Sequence, residues 1–312
     1  MGDQLPSLGW IGAGRMGHAL VTRLLNAGHD VSVYNRTRSK CEDLAEIGAT
    51  IVDSVADLAD RDIVFTMVAG SKDVEEVVDA LLSCPGVQPG LIVDATTISP
   101  AVAEAIRARA AARGTSMIAA PVSGNPKVAA SGRLTIVASG PEASWELARP
   151  YLELLCRKVT YVGDGERARL VKVCHNLMLG VVAECMAEIT VLAEKGGVSR
   201  ADLWEFMNDS VLGSVFTRYK TPAYVNLDWK PTFTPELLLK DFHLGFEAAH
   251  EMQVPMPVAA ATEQIVQLLE GTKGNEVDFA ALLGLVAEGA GLELVPEDVE
   301  IDDGLSPLEP VA

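Results

Sequence analysis

The first half of the chain alternates short apolar runs with amphipathic stretches. Runs at Leu8–Ile11, Val31–Tyr34, Ile63–Met67, Leu91–Asp94, Ser116–Ala119, Arg133–Ala138 and Val159–Val162 predict strands. Between them, Met16–Ala27, Lys72–Leu82, Pro100–Arg113 and Glu142–Leu155 carry the three-to-four-residue apolar spacing of helices. This alternation predicts an α/β domain, a doubly wound and largely parallel sheet with helices on both faces. After Asp164 the pattern changes. Glu166–Lys195 predicts one long helix ended by Gly196-Gly197. Ser199–Asn208, Pro235–Met252, Pro257–Glu270 and Phe279–Ala287 predict further helices, with no convincing strand among them. The expected organisation is an α/β domain over 1–164, an interdomain helix over 165–195 and an all-α domain over 196–295. An acidic, proline-containing tail over 296–312 is expected to be mobile.

The chain has 312 residues, enough for two domains with substantial cores. Its formal net charge of -18 argues against nucleic acid and anionic membranes as partners, since both are bound by clustered Lys and Arg. Met1-Gly2-Asp3-Gln4 lacks the basic start of a secretory leader, and Pro6 stands where a myristoylation motif needs Ser or Thr. The most apolar stretch, from Leu177, is broken by Glu184 and Glu188, so no membrane span is expected. The five cysteines form no C-x-x-C pair and are odd in number, which suggests reduced thiols in a cytoplasmic protein. No His/Cys cluster has metal-ligand spacing, and no metal is expected. Trp204, Phe206 and Trp229 are expected to be core or interface aromatics.

Gly12-Ala13-Gly14-Arg15-Met16-Gly17 follows the first strand and opens the first helix. A G-x-G-x-x-G at that place has a use for each glycine: Gly12 for the turn, Gly14 for close approach of a pyrophosphate, and Gly17 for helix–strand packing. The helix N-terminus adds free N–H groups and partial positive charge. Dinucleotide binding is therefore expected, with Arg15 and Met16 at the first helical turn beside the phosphates. An NAD-specific site usually carries an acid at the end of the second strand. Here the residues are Asn35-Arg36-Thr37-Arg38, and an arginine can bond a 2′-phosphate and lie against adenine. NADP (as NADPH in the reducing direction) is expected rather than NAD.

Four motifs in order resemble the β-hydroxyacid dehydrogenase family, of the 3-hydroxyisobutyrate dehydrogenase and tartronate semialdehyde reductase type. The first is the glycine loop with Ala27-Gly28-His29-Asp30-Val31 and Asn35-Arg36-Thr37. The second is Ala120-Pro121-Val122-Ser123-Gly124-Asn125 with Gly132, and the third is Gly163-Asp164-Gly165 followed by the helix carrying Lys172 and Asn176. The fourth is Phe233 with Lys240-Asp241. The resemblance spans about Leu8 to Gly291 and implies a Rossmann-like first domain, a long interdomain helix, and an all-helical domain through which such proteins form homodimers or homotetramers. It implies Lys172 and Asn176 as catalytic residues, with Ser123, Gly124, Asn125 and Phe233 at the substrate. It also implies that Met67, Val68, Thr96 and Lys240 line the cofactor. Asp94-Ala95-Thr96-Thr97-Ile98-Ser99-Pro100 resembles the segment beside the nicotinamide, while Ser99 also suits a helix N-cap.

Lys172 and Asn176 can be read without the family. Four positions apart on a helix, they share one face. A lysine in so apolar a run either serves a cleft as a proton donor and acceptor or carries its ammonium out to solvent. The stretch alone leaves both open, and the resemblance favours the first. Asn125 and Val128 stand where relatives have glycines, so the Asn125 side chain must fill space or make a bond that glycine would not. His175 stands where many relatives have asparagine, and a packing role on another face is the plainer reading. The expected activity is an NADP-dependent oxidoreductase passing hydride between nicotinamide and a small β-hydroxy acid or semialdehyde. The rivals are an imine reductase and a non-catalytic NADP-binding interaction protein. Both lack the lysine in the relatives concerned, and its presence here counts against them.

Overall fold

The computed structural model describes residues 5–305. The expectations for Met1-Gly2-Asp3-Gln4 and for residues 306–312 fall outside them. Two compact units divide inside one helix, between Lys172 and Val173.

In the first unit, strands β1 (Leu8–Ile11), β2 (Val31–Tyr34), β3 (Thr50–Ile51), β4 (Ile63–Thr66), β5 (Leu91–Asp94) and β6 (Ser116–Ala119) form one sheet. Its order is β3-β2-β1-β4-β5-β6, and every pairing is parallel. This is the Rossmann order, with its switch point at the carboxyl end of β1. β1, β4 and β5 are buried at every residue, which explains why they appear in sequence as unbroken apolar runs. Trp10 and Phe65, register partners across β1 and β4, stack at 5.3 Å. Helices α1 (Arg15–Asn26), α2 (Ser71–Leu82) and α3 (Pro100–Ala112) cover the sheet with buried residues at helical spacing, as in Val74, Val78, Leu81 and Leu82 of α2.

The single large sheet expected from the sequence is in fact two. β7 (Val122–Ser123), β8 (Thr135–Ala138) and β9 (Lys158–Tyr161) form a separate sheet, with β7 antiparallel to β8 and β8 parallel to β9. An isolated antiparallel bridge, Ala119 to Ser139, joins the residue after β8 to the end of β6. Helix α4 (Pro126–Ala130) connects β7 to β8, and α5 (Glu142–Leu155) connects β8 to β9. Neither β3, β7 nor α4 is foreseen, because a two-residue strand forms no apolar run and a five-residue helix is too short to repeat its apolar spacing.

Helix α6 (Arg167–Lys195) crosses from the first unit into the second, where α7 (Arg200–Asp209), α8 (Val215–Asn226), α9 (Pro235–Glu251), α10 (Pro257–Lys273) and α11 (Leu282–Gly289) follow. By length and composition α6 could cross a membrane, although Glu184 and Glu188 interrupt it and 50% of its most apolar window is buried inside the protein. The core gathers Leu177, Trp204, Tyr224, Leu238, Phe242 and Phe279. α6 and α9 pack on glycines: a Cβ at Gly180 would lie 2.5 Å from Phe242, and one at Gly245 would lie 2.6 Å from Leu177. α8 has no counterpart in the sequence expectation. It contains Pro222 and residues of modest helix propensity, but a capping box between Ser214 and Thr217 starts it.

The expected mobile tail is held where it is described. Glu297 accepts from the backbone N–H groups of Arg200 (2.6 Å) and Ala201 (3.0 Å) at the start of α7, and Asn226 pairs with both backbone groups of Val299. Acidic composition suggested disorder, yet a carboxylate here meets the positive end of a helix.

Glu184 of α6 is only 6% exposed, and its Oε2 has no hydrogen-bond partner among the described residues. Burial, with the nearby Glu188 charge adding to it, pushes its pKa up to about 7 from the ordinary 4.5. The folded state therefore holds a proton that the unfolded state releases between these values. Stability tied to this group is complete below pH 4.5 and is lost as pH rises through 7. Glu184→Gln should remove this loss, gaining on the order of 1–2 kcal/mol at pH 8 and nothing near pH 4, after allowing for residual solvent screening. Urea denaturation of both proteins at the two pH values checks this; an equal difference at both would mean that Glu184 does not titrate as described.

Candidate active site

The glycine loop is shaped by contacts that only glycine allows. Gly12 has φ +97°, and a Cβ there would lie 2.2 Å from the Met67 carbonyl oxygen; one at Gly17 would lie 2.0 Å from the Gly12 carbonyl. At Gly14, by contrast, a Cβ would meet nothing within 4 Å, so this side of the loop is open to a ligand. Gly14 stands at the N-cap of α1 and makes no side-chain cap, so no capping side chain from that position lies over the first turn. That combination fits a dinucleotide pyrophosphate.

Asn35 braces the loop from the end of β2. Its Oδ1 accepts from the Ala13 N–H (2.9 Å), and its Nδ2 donates to the Thr37 carbonyl (2.7 Å). Both polar ends are thus committed to backbone, at the place where an NAD site would hold a free acid. Arg36 is 81% exposed and pairs with Asp73 of α2 at 3.2 Å. Arg38 pairs with Asp53 and Glu42.

The loops after β4 and β5 are joined at Thr96. Its hydroxyl accepts from the Val68 N–H (3.1 Å), and its own N–H donates to Asp94 Oδ1 (3.1 Å). Asp94 Oδ1 also accepts from Thr66 Oγ1 (2.7 Å), while Asp94 Oδ2 accepts from Arg169 of α6 (2.7 Å). Asp94 and Arg169 are 0% and 2% exposed. Neither was singled out from the sequence; the available signal was a charged residue three positions before Lys172 in the same apolar run. Ser99 makes no side-chain cap to α3, correcting that expectation; its N–H donates to Ser71 Oγ (3.3 Å).

Ser123 ends β7, and Gly124 and Asn125 lead into α4. Asn125 Oδ1 accepts from the Val128 N–H (3.0 Å) and caps α4, with Pro126 at the first helical position. This is the bond that glycine could not make. Val128 is buried against Gly124, where an added Cβ would lie 2.7 Å from it.

On α6, Lys172 is half-buried and Asn176 is 4% exposed. In the second unit Asn176 Nδ2 donates to Asp241 Oδ2 (2.5 Å), and its Oδ1 lies 2.8 Å from His175 Nδ1. His175 therefore does more than pack: its ring is exposed and touches the asparagine's amide. Asp241 is buried, and Lys240 Nζ lies 3.7 Å from its Oδ1. Lys240 also lines a cavity of about 640 Å³ with Glu236, His243, Glu247 and Glu270. Phe233 is positioned through Asp278, which accepts from its N–H (3.1 Å), from both Thr232 donors and from the Ala280 N–H. Burial disfavours the Asp278 charge, yet Lys220 at 2.5 Å and these donors hold its pKa below the usual carboxylate range. Among the described residues, no group of three His, Cys, Asp or Glu is placed to hold a metal ion.

A Rossmann sheet with this glycine loop, followed by a helical unit, defines a pyridine-nucleotide-dependent dehydrogenase or reductase. Residues 7–163 match the family model described as the NAD binding domain of 6-phosphogluconate dehydrogenase. Residues 166–286 match that described as the NAD-binding of NADP-dependent 3-hydroxyisobutyrate dehydrogenase. The chain is 31% identical to the probable 3-hydroxyisobutyrate dehydrogenase-like 2, mitochondrial, of Arabidopsis thaliana, over 91% of this chain and 95% of that one. Its structure is similar to that of Mycobacterium tuberculosis 3-hydroxyisobutyrate dehydrogenase with L-serine (TM-score 0.80, 27% identity, 91% of this chain and 99% of the other). It is similar also to Psf3 in complex with NADP+ and 2-OPP (TM-score 0.80, 27% identity, 89% and 99%). The chain belongs to the β-hydroxyacid dehydrogenase family, and its reaction class is NAD(P)-dependent oxidoreduction at a CH–OH group.

Asn125→Ala removes the α4 cap and should cost about 1 kcal/mol of stability, whereas Asn125→Gly should cost only a few tenths. Thermal unfolding of the three proteins checks the order; equal melting temperatures would mean that the cap contributes nothing.

Proposed function

We propose that this protein is an NADP-preferring dehydrogenase that interconverts a small β-hydroxy acid and its carbonyl acid, with Lys172 exchanging the proton of the substrate oxygen. The observation that carries this reading is a row of three polar residues on one face of α6. Arg169, Lys172 and Asn176 stand at i, i+3 and i+7 on α6, and the first and last are held by buried carboxylates. A lysine between two such anchored neighbours is held on one helical face. When bound, the nicotinamide supplies the hydride acceptor or donor. In oxidation the hydroxyl must lose its proton as its carbon loses hydride, and Lys172 takes that proton as the neutral amine. In reduction it returns it as the ammonium. Asn176 orients the substrate, and Ser123 with the Gly124 and Asn125 amides binds the carboxylate or a similar anion. Phe233 closes on the substrate, and Met67, Val68, Thr96 and Lys240 serve the cofactor. We place this activity in the cytoplasm, in a homodimer or homotetramer.

NADP preference rests on the two ends of β2's loop. Asn35 is consumed in bracing backbone, which removes the ribose acid, and Arg36 extends a guanidinium into solvent. The NADP+ bound by Psf3 and the NADP-dependent description of the second family model support the same choice.

Arg36→Ala should weaken NADP binding by about 1.5–3 kcal/mol, the scale of a lost charge-assisted contact, and change NAD binding little. Dissociation constants for both cofactors check it, and equal losses would remove the assignment. Lys172→Met keeps a stem of similar length without the amine. NADP binding should persist while kcat falls roughly a hundredfold or more, the usual scale of lost acid–base help. A panel of short β-hydroxy acids, with sulfonate and phosphonate analogues, supplies the substrate. Near-wild-type kcat on the best of them would show that Lys172 is not the proton carrier.

A further inference from the structure

We infer that Arg169 is a positioning residue: its buried guanidinium sets the rotation of α6 and so the direction in which Lys172 is presented, in register with the Thr96 loop. The inference rests on the proposed role of Lys172.

Every edge of the guanidinium is used. Nη2 donates to Asp94 Oδ2 (2.7 Å), Nη1 to the Thr96 carbonyl (2.8 Å) and Nε to Glu166 Oε2 (2.7 Å). Glu166 Oε1 in turn meets Arg107 of α3 at 2.7 Å. Asp94 is equally committed, since its other oxygen holds Thr66 and the Thr96 N–H. One side chain therefore ties the ends of β4 and β5 to the first turn of α6. The same turn is pinned from another side, where Ser139 Oγ accepts from the Ala168 N–H (3.0 Å) and donates to the Gly165 carbonyl (2.7 Å). Helix ends ordinarily fray, and this one is tethered at successive residues.

The geometry makes the tether matter for chemistry. Arg169 and Lys172 are i, i+3 neighbours on one face, about 4.5 Å apart along the axis. A helix side chain reaches roughly 5–6 Å from its axis, so a rotation of about 10° moves its tip by about 1 Å. Misplacement of that size at a reacting group can cost about a hundredfold in rate. A buried ion pair also contributes little net stability compared with an apolar substitute, so its value lies in admitting one arrangement. A planar fork that must satisfy a carboxylate, a carbonyl and a second carboxylate together admits few helix rotations.

The test is a double-mutant cycle on kcat. Arg169→Lys keeps the charge opposite Asp94 but cannot reach all three acceptors. It should lower kcat tenfold or more, with KM for substrate changed less than threefold and with an intact cooperative unfolding transition. On the Lys172→Met background the same change should alter the residual kcat by less than twofold, because there is no longer an amine to aim. Equal factors on both backgrounds would overturn the inference and make Arg169 an ordinary structural residue. So would a kcat for Arg169→Lys within twofold of wild type. If Arg169→Lys does not fold, Glu166→Gln, which weakens one edge of the fork and leaves the Asp94 pair alone, carries the same cycle with the same outcomes. Failure of the underlying reading shows separately, as near-wild-type kcat in Lys172→Met alone.

Discussion

The first unit depends on a carboxylate and a guanidinium that have been taken out of water together. Removing either ion from solvent costs several kcal/mol, so Asp94 and Arg169 are tolerable only while every lone pair and every donor finds its partner. That condition is demanding. It requires the carboxyl end of β5, the Thr66 hydroxyl of β4, the Thr96 loop and the first turn of α6 to arrive in one arrangement. The apolar strands supply the bulk of the driving force, but burial of Val, Ile and Leu is indifferent to small slips. Hydrogen bonds at 2.7–2.8 Å are not.

The second unit meets the same problem with other means. α6 and α9 approach closely because Gly180 and Gly245 stand against Phe242 and Leu177. That approach lets Asn176 and Asp241 meet in a core where neither could stay alone. Asp278 plays the corresponding part for the loop that carries Phe233, collecting a buried ammonium and four further donors. In both units, polar residues inside apolar surroundings are oriented rather than merely accommodated. Glu184 is the contrast, a buried carboxyl with one oxygen unpartnered among the described residues, and burial accordingly favours its neutral form.

Long, strongly patterned elements were legible in the residue order. β1, β2, β5, β6 and α5 have the expected limits to the residue, the strands because each is a short, largely buried run that stands out from its flanks and α5 because an amphipathic helix repeats its pattern several times. β3 and β7 were not, being two residues each. α8 was hidden by Pro222, whose cost in a helix is offset by tertiary packing around Tyr224 and Val225. The split into two sheets was equally hidden, since apolar runs do not say which strand each will pair with. At the site, Asn125 was visible as a departure from glycine, but its purpose as the α4 cap appears only when the Val128 N–H is seen to point at it.

The sequence by itself determined whatever depends on spacing within a few residues. The glycine loop is of this kind, since turn, close approach and packing follow one another within six positions. So is the pairing of Lys172 with Asn176 on one helical face, and so is the presence of Asn35 and Arg36 after the second strand. Tertiary structure decided the partners. Asp94 and Arg169 are 75 positions apart, and Asn176 and Asp241 are 65 apart. No period links such positions, because a hydrogen-bond partner across that distance is chosen by how whole elements pack. That choice turned a helix with a lysine in it into one whose neighbouring polar residues are each held in place.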